Sequence, residues 1–331
     1  MNWKPLIKTM RRAVWLMVFV AANLLGSKAL QAQTPTSTPP PDTTVQTSTT
    51  PVGDGPEALA YDGANLWVTN QFSDMVTKIR ASDSTSLGVY SVGTRPVAIL
   101  YDGTNIWVAN LLSNNVTKLR ASDGLKLGTY AAGNGPGGLA YDGANLWVAA
   151  RNDNTVVKLR ASDGLRLGTY AVGSRPMAVL HDGTNIWVTN NFSNDVTKLR
   201  ATDGAKLGTY AVGRGPFGAA FDGTNIWVAN FFSGNVTRLQ AATGAVVGTY
   251  AVGDGPAGML YAASNIWVVN NGSNSVMKLS PVNGSIVSTF AVGRSPYSVL
   301  FDGANIWAAD AGSNSVTKLS RTTATGTSAI P

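Results

Sequence analysis

Apolar residues in this chain fall into short strand-like runs, each closed by a turn pair or an Asn-rich loop. Val97–Tyr101 reads as a first strand, and Asp102-Gly103 turns it into a second, Ile106–Ala109. The loop Asn110–Asn115 leads to a third, Val116–Arg120, and Asp123-Gly124 to a fourth, Leu127–Ala132. Asp-Gly suits a tight hairpin because Gly takes positive φ without a Cβ clash. Gly133-Asn134-Gly135-Pro136 then carries the chain into the next unit of the same kind.

That unit recurs. Gly-x-x-Pro begins at Gly53, Gly93, Gly133, Gly173, Gly213, Gly253 and Gly293, a spacing of 40 with no insertion. Trp67, Trp107, Trp147, Trp187, Trp227, Trp267 and Trp307 keep one register. Four strands per 40-residue period predict an all-β fold, a seven-bladed β-propeller of four-stranded antiparallel blades. Each indole is expected between adjacent blades, where its burial contributes about 2–3 kcal/mol before entropy is charged. No unit resembles the polar cap of an open solenoid, so the ring is expected to close. Closure needs a seam strand. The seventh unit ends weakly at Gly326-Thr-Ser-Ala-Ile-Pro331, whereas Pro51-Val52-Gly53 echoes Ser91-Val92-Gly93. Residues 44–52 are therefore expected to complete the last blade, with the C-terminal tail as the competing candidate; the propeller then spans 44–331.

The repeated Asp-Gly-x-x-(Ile/Leu)-Trp-Val-x-Asn, Ser-x-x-Val and Val-Gly-x-x-Pro resemble the bacterial YVTN-type propeller repeats, with Trp where Tyr is usual. The resemblance covers about residues 53–320. It departs from that family at Arg-Ala-Ser-Asp-Gly after the third strand, where Asp-Thr is more common. Gly-x-x-Pro followed by Asp-Gly-x-(Ile/Leu)-Trp also resembles the streptogramin-lyase propellers. That resemblance implies an enzyme opening a lactone ring with a histidine base and a Mg²⁺ ion held partly by glutamate.

Composition weighs against that chemistry. The chain has one histidine, His181, and one glutamate, Glu57. His181 fills the place held elsewhere by Tyr61, Tyr101, Tyr141, Phe221, Tyr261 and Phe301, so it reads as a packed ring rather than a general base. Glu57 lies three blades away and shares no local motif with it. The carboxylates Asp62, Asp102, Asp142, Asp182, Asp222 and Asp302, interrupted by Ala262, read as turn residues rather than metal ligands, as do Asp83, Asp123, Asp163 and Asp203. With no cysteine there is no disulfide framework, thiolate nucleophile or Cys-based zinc site. The glycines recur every 40 residues instead of clustering before a helix, which argues against a phosphate loop. No cofactor, no metal and no catalysis are expected.

Charge changes the picture only at the N-terminus. The formal charge of +7 includes Lys4, Lys8, Arg11, Arg12 and Lys28, with no acidic residue before position 34; the remainder has about 20 basic against 18 acidic residues. The body therefore lacks the electrostatic footprint of a nucleic-acid binder. The cationic start and the apolar run 13–25 read as a signal peptide, residues 1–32, since a bilayer span needs roughly 20 apolar residues. Cleavage after Ala29 or Ala32, or retention as an anchor, all export the body to the periplasm, cell surface or medium. Residues 33–43 read as a Thr/Pro-rich linker.

The seven copies differ mainly on one face. In an antiparallel blade with strands a to d, the d–a and b–c connections open at one end of the ring and the a–b and c–d turns at the other. The nearly invariant a–b turns and the c–d turns, mostly Asp-Gly, lie on the second. On the first, the residues after the prolines are Glu57, Val97, Gly137, Met177, Phe217, Ala257 and Tyr297. The b–c loops add Phe72, Arg151, Phe192, Phe231 and Phe232, and the d–a loops add Arg95, Arg175, Arg214 and Arg294. Arginine and aromatic side chains on a rim form a recognition surface, unless they fold back over their own blades after duplication. Phe72, Arg95, Arg151, Arg175, Phe192, Arg214, Phe217, Phe231, Phe232, Arg294 and Tyr297 are thus the candidate binding residues. The expected protein is a monomeric binding scaffold for a protein, small molecule or glycan. A propeller lyase and a purely structural envelope protein are the alternatives.

Overall fold

The computed structural model describes residues 45–321, and these form seven four-stranded antiparallel sheets with no helix among them. In blade 1, strand a is Pro56–Tyr61, b is Asn65–Asn70, c is Met75–Arg80 and d is Ser86–Ser91. Blade 2 repeats them at Pro96–Tyr101, Asn105–Asn110, Asn115–Arg120 and Lys126–Ala131, so strand d starts and stops one residue earlier than its apolar run suggests. Blades 3 to 6 follow at the same period, each sheet running a-b-c-d. The a strands of successive blades adjoin one another, blade 7 against blade 1 included, so they encircle an axis and the ring is closed.

The Asp-Gly turn after strand a does two jobs. Asp62 donates its N–H to the carbonyl of Asn65 at 3.0 Å, and Gly63 supplies the positive φ of 97° that the turn requires. The Asp62 carboxylate then accepts from the N–H groups of Ala64 and Asn65 and from Trp67 Nε1 at 2.8 Å. The turn thereby fixes the indole, and the same bond recurs at Trp107, Trp147, Trp187, Trp227 and Trp307. Blade 6 has Ala262 instead of an aspartate, and its indole donates to the Ala262 carbonyl at 3.2 Å.

The indoles join the blades. Trp67 is fully buried against Ile99, Ile106, Val108 and Leu119 of blade 2. Above its face lies Lys78 of strand c, with Nζ 4.7 Å from the ring centre and donating to the Ala121 carbonyl of blade 2 at 2.7 Å. A buried ammonium needs such partners, and the ring face, the carbonyl and Asp62 at 4.0 Å supply them. Lys118, Lys158 and Lys198 repeat the link to the following blade, and Lys318 of blade 7 donates to the Ala81 carbonyl of blade 1 at 3.0 Å.

Blade 7 takes strands a, b and c from Pro296–Phe301, Ile306–Asp310 and Ser315–Arg321, and its outer strand is Val45–Pro51. Val45–Pro51 runs antiparallel to Ser315–Arg321, with Thr49 opposite Thr317 and Pro51 opposite Ser315. As the outermost strand, it tolerates a proline that donates nothing to the ladder. The expected signal peptide and linker, and the tail after Arg321, lie outside the described residues.

Candidate functional site

The d–a and b–c loops at one end of the axis are bonded to each other. The N–H of the second residue of each Gly-x-x-Pro donates to a side chain in the b–c loop of its own blade, as Asp54 does to Ser73 at 2.8 Å and Thr94 to Ser113 at 2.6 Å. The N–H of the third residue in six blades donates to a b–c loop side chain of the preceding blade: Gly55 to Asn314, Arg95 to Asp74 and Arg175 to Asn154. These bonds hold the backbone in a left-handed conformation at the third residue. Gly occupies that position in four blades, Gly55 (φ 66°) among them, but Arg95 (φ 58°), Arg175 (φ 54°) and Ser295 (φ 51°) occupy it in blades 2, 4 and 7. A side chain in that region costs on the order of 1–2 kcal/mol.

Glu57, Phe217 and Tyr297, each the residue after a proline, point at the axis, as their interactions with non-adjacent blades demonstrate. Phe217 of blade 5 and Tyr297 of blade 7 have ring centres 6.1 Å apart, meeting across blade 6, which offers only the buried Ala257. Phe217 also lies 6.0 Å from Phe231, and Phe231 meets Phe232 edge-on at 5.4 Å. Opposite this aromatic arc is a charged one. Glu57 of blade 1 interacts electrostatically with Arg151 of blade 3 and Arg95 of blade 2, and Arg175 of blade 4 acts on Arg151. Both Glu57 and Arg151 are buried, at 6% and 7% exposure. Blade 3 makes room for Arg151 by having Gly137 at the axial position, where a Cβ would stand 2.3 Å from Arg151 Nε.

Burial dominates the electrostatics. It pushes the Glu57 carboxyl up to about 7, even though Arg151 and Arg95 pull it down. It lowers the Arg151 guanidinium to about 10, with Glu57 opposing and Arg175 and Arg95 adding to the fall. Arg175 is lowered by burial and then by Arg95, and Tyr297 is raised by burial and then by the Glu57 charge. Arg95, Arg151 and Arg175 thus act on one another beside the Glu57 carboxylate, and Arg151 Nε is buried without a hydrogen-bond acceptor among the described residues.

The candidate binding residues separate into two sets. Arg95, Arg151, Arg175, Phe217, Phe231 and Tyr297 converge at the axial mouth, and Phe232 continues the aromatic arc outward. Phe72 covers Gly55 of its own blade, Phe192 carries the Arg175 guanidinium 4.7 Å above its ring, and Phe232 covers Gly215. Arg214 and Arg294 are exposed further out, Arg294 reaching the Gly312 carbonyl. Arg151, expected on the recognition face, is sequestered there rather than exposed. Glu57 is the residue that reading passed over. Its signal was available, as the chain's sole glutamate at a position other blades fill with apolar or aromatic side chains.

His181 ends strand a, Pro176–His181, whereas Glu57 stands near the start of its own. Four residues along a strand separate the two levels by about 13 Å, so His181 belongs to the opposite end of the ring. The aspartates of the a–b turns are engaged by backbone and indole N–H groups, and among the described residues no cluster of three His, Asp or Glu side chains could hold a metal ion.

No protein-family profile matches the sequence, and no curated protein does. Solved structures do. A streptogramin B lyase superposes with a TM-score of 0.73 at 20% identity, over 84% of this chain and 98% of that one. A catalytically inactive virginiamycin B lyase from Staphylococcus aureus, with quinupristin, gives 0.73 at 19%, over 83% and 99%. A Kuenenia stuttgartiensis hydrazine synthase chain gives 0.73 at 20%, over 81% and 96%. At these identities the likeness is one of fold: a seven-bladed propeller similar to the lyases.

Proposed function

We propose that this chain is an exported, non-enzymatic propeller that binds a ligand at the axial mouth of its d–a/b–c face. One observation carries the reading: Glu57, Arg95, Arg151, Arg175, Phe217 and Tyr297, drawn from six blades, meet at one end of the axis on a hydrogen-bonded set of loops. Charged side chains are rarely sequestered without a partner, and binding sites lie where a rigid scaffold converges unlike groups. Export rests on the cationic and apolar leader at residues 1–32, and residues 33–43 serve as its tether. The resemblance of the repeats to the YVTN-type propellers supports a binding scaffold.

The lyase-like fold alone does not bring lyase chemistry, because function resides in sites rather than folds. Here the single histidine and the single glutamate belong to opposite ends of strand a, and the mouth contains arginines where a Mg²⁺-dependent lyase needs acidic ligands.

The test is retention of molecules from an envelope extract on the immobilised protein, read by mass spectrometry. Wild type and Asp222→Asn, altered at the opposite face, should retain the same species, and the double variant Arg151→Met/Phe217→Ala should lose it. Retention indifferent to the double variant overturns the proposed site. Linearisation of quinupristin with Mg²⁺, lost in His181→Phe, overturns the non-enzymatic reading.

A further inference from the structure

We infer that the axial mouth takes an anionic aromatic molecule, its carboxylate or phosphate gripped by Arg95, Arg151 and Arg175 and its ring laid against Phe217, Phe231 and Tyr297. This rests on the mouth being the ligand site and names the chemistry it selects.

Three observations point to an anion. Three guanidiniums act on one another in the mouth, and Arg151 is 93% removed from solvent with its Nε lacking an acceptor among the described residues. An unsatisfied buried guanidinium is costly, and a planar oxyanion is the group its fork fits. Arg95 and Arg175 also stand at left-handed positions that Gly55, Gly135, Gly215 and Gly255 fill elsewhere, blade 7 having Ser295 there. In the two blades that flank Arg151 the side chain at this position is an arginine, which brings two further guanidiniums to the same side of the mouth. The third observation is Gly137, whose missing Cβ is the space Arg151 occupies.

The aromatic half selects the rest of the molecule. Phe217 lies within reach of both Phe231 and Tyr297, and all three are only half-buried, so their rings retain exposed surface beside the charged arc. Ala257 between blades 5 and 7 keeps that side of the mouth open to them. Glu57 sits against Arg151 and Arg95 as an internal competitor for the same guanidiniums.

The experiment is calorimetric titration of the full chain at pH 8 with benzoate, phenyl phosphate, benzyl alcohol, acetate and inorganic phosphate. Benzoate or phenyl phosphate should bind saturably, the tighter of the two identifying the acid group. Benzyl alcohol, acetate and inorganic phosphate should each bind at least tenfold more weakly, because each lacks one half of the recognition. Arg151→Met should lose about tenfold, the effect of one charge-assisted contact, and Arg294→Met, on the outer rim, should lose nothing. Glu57→Gln should tighten benzoate several-fold by removing the competitor. If Arg151→Met fails to fold, Arg175→Met gives the same reading. The inference is overturned if neither aryl anion saturates with wild type and Glu57→Gln at millimolar concentration, if benzyl alcohol matches benzoate, or if the arginine variants bind as tightly as wild type. A neutral envelope molecule retained by the mouth while both aryl anions fail would leave the binding function standing and remove only this inference. Aryl anions lost in Arg151→Met, with extract retention untouched by the mouth variants, would do the reverse.

Discussion

Asp310 takes in blade 7 the place that Asn70, Asn110, Asn190, Asn230 and Asn270 hold at the end of strand b. In four of those blades the asparagine Nδ2 donates to a strand c threonine; here the Thr317 hydroxyl donates to the carboxylate instead. Burial pushes the Asp310 carboxyl up to about 7, a rise that Thr317 and the Gly293 N–H only partly offset. The folded state thus holds this proton more tightly than the unfolded chain, whose value is near 3.8. Its stabilising effect is complete below about pH 4 and is lost as pH rises through about 7. Glu57, raised to about 7 as well, acts with the same sign in the same window. Asp310→Asn should therefore raise the unfolding free energy at pH 8 by on the order of 2–4 kcal/mol and leave pH 4 almost unchanged. Thermal melts from pH 4 to 8 in the Glu57→Gln background isolate the effect, and a parallel shift at both extremes would contradict it.

At the scale of the element, blade 3 departs from the same Asn–Thr pair as a unit. It carries Ala150 at the end of strand b and Val157 in strand c, both buried, where blade 2 has Asn110 bonded to Thr117. Exchanging both partners of a buried hydrogen bond for apolar groups is nearly neutral, whereas exchanging one strands the other. Val157→Thr alone should cost about 1–3 kcal/mol by burying an unpaired hydroxyl, and adding Ala150→Asn should recover most of it. A denaturant-melt double-mutant cycle with no coupling would show that the pair is not the unit. Such pairs explain why the blades were legible from the chain. The turns have chemical markers, Asp-Gly after strand a in six of the seven blades and Gly-x-x-Pro after strand d, and the period of 40 lets seven copies vouch for each other. The axial mouth was half legible for the same reason. Aligning the repeats shows where copies differ, and so picks out Arg95, Arg151, Arg175, Phe217 and Tyr297. It treats each blade alone, however, and Glu57 acquires its role only from Arg151 two blades away and from the space left by Gly137.

The whole molecule is a ring, and a ring fails at its seam. Six blades are closed by consecutive strands, but blade 7 joins Val45–Pro51 to Ser315–Arg321 across almost the entire sequence. The outer strand is largely exposed, so its contribution lies in the ladder, in Val45 packed beneath blade 7 and in Val52, which packs against blades 7 and 1 and donates to the Asn314 carbonyl at 3.0 Å. Without it, Ser315–Arg321 becomes an open edge of backbone donors and acceptors. The ring would then be held by the contacts between strand a of blades 7 and 1, the indole Trp307, the Lys318 bond to Ala81 and the Gly55 bond to Asn314. Deleting residues 34–52 should lower the melting temperature by roughly 5 °C or more, since each kcal/mol shifts a domain of this size by about 2–4 °C, and should promote self-association through the bared edge. Deleting residues 34–42 leaves the strand in place and should change the melt by no more than about 1 °C. Melting curves and light scattering on the two truncations decide the matter. Equal melts would mean that the seam strand is dispensable and that the remaining contacts between blades 7 and 1 close the ring.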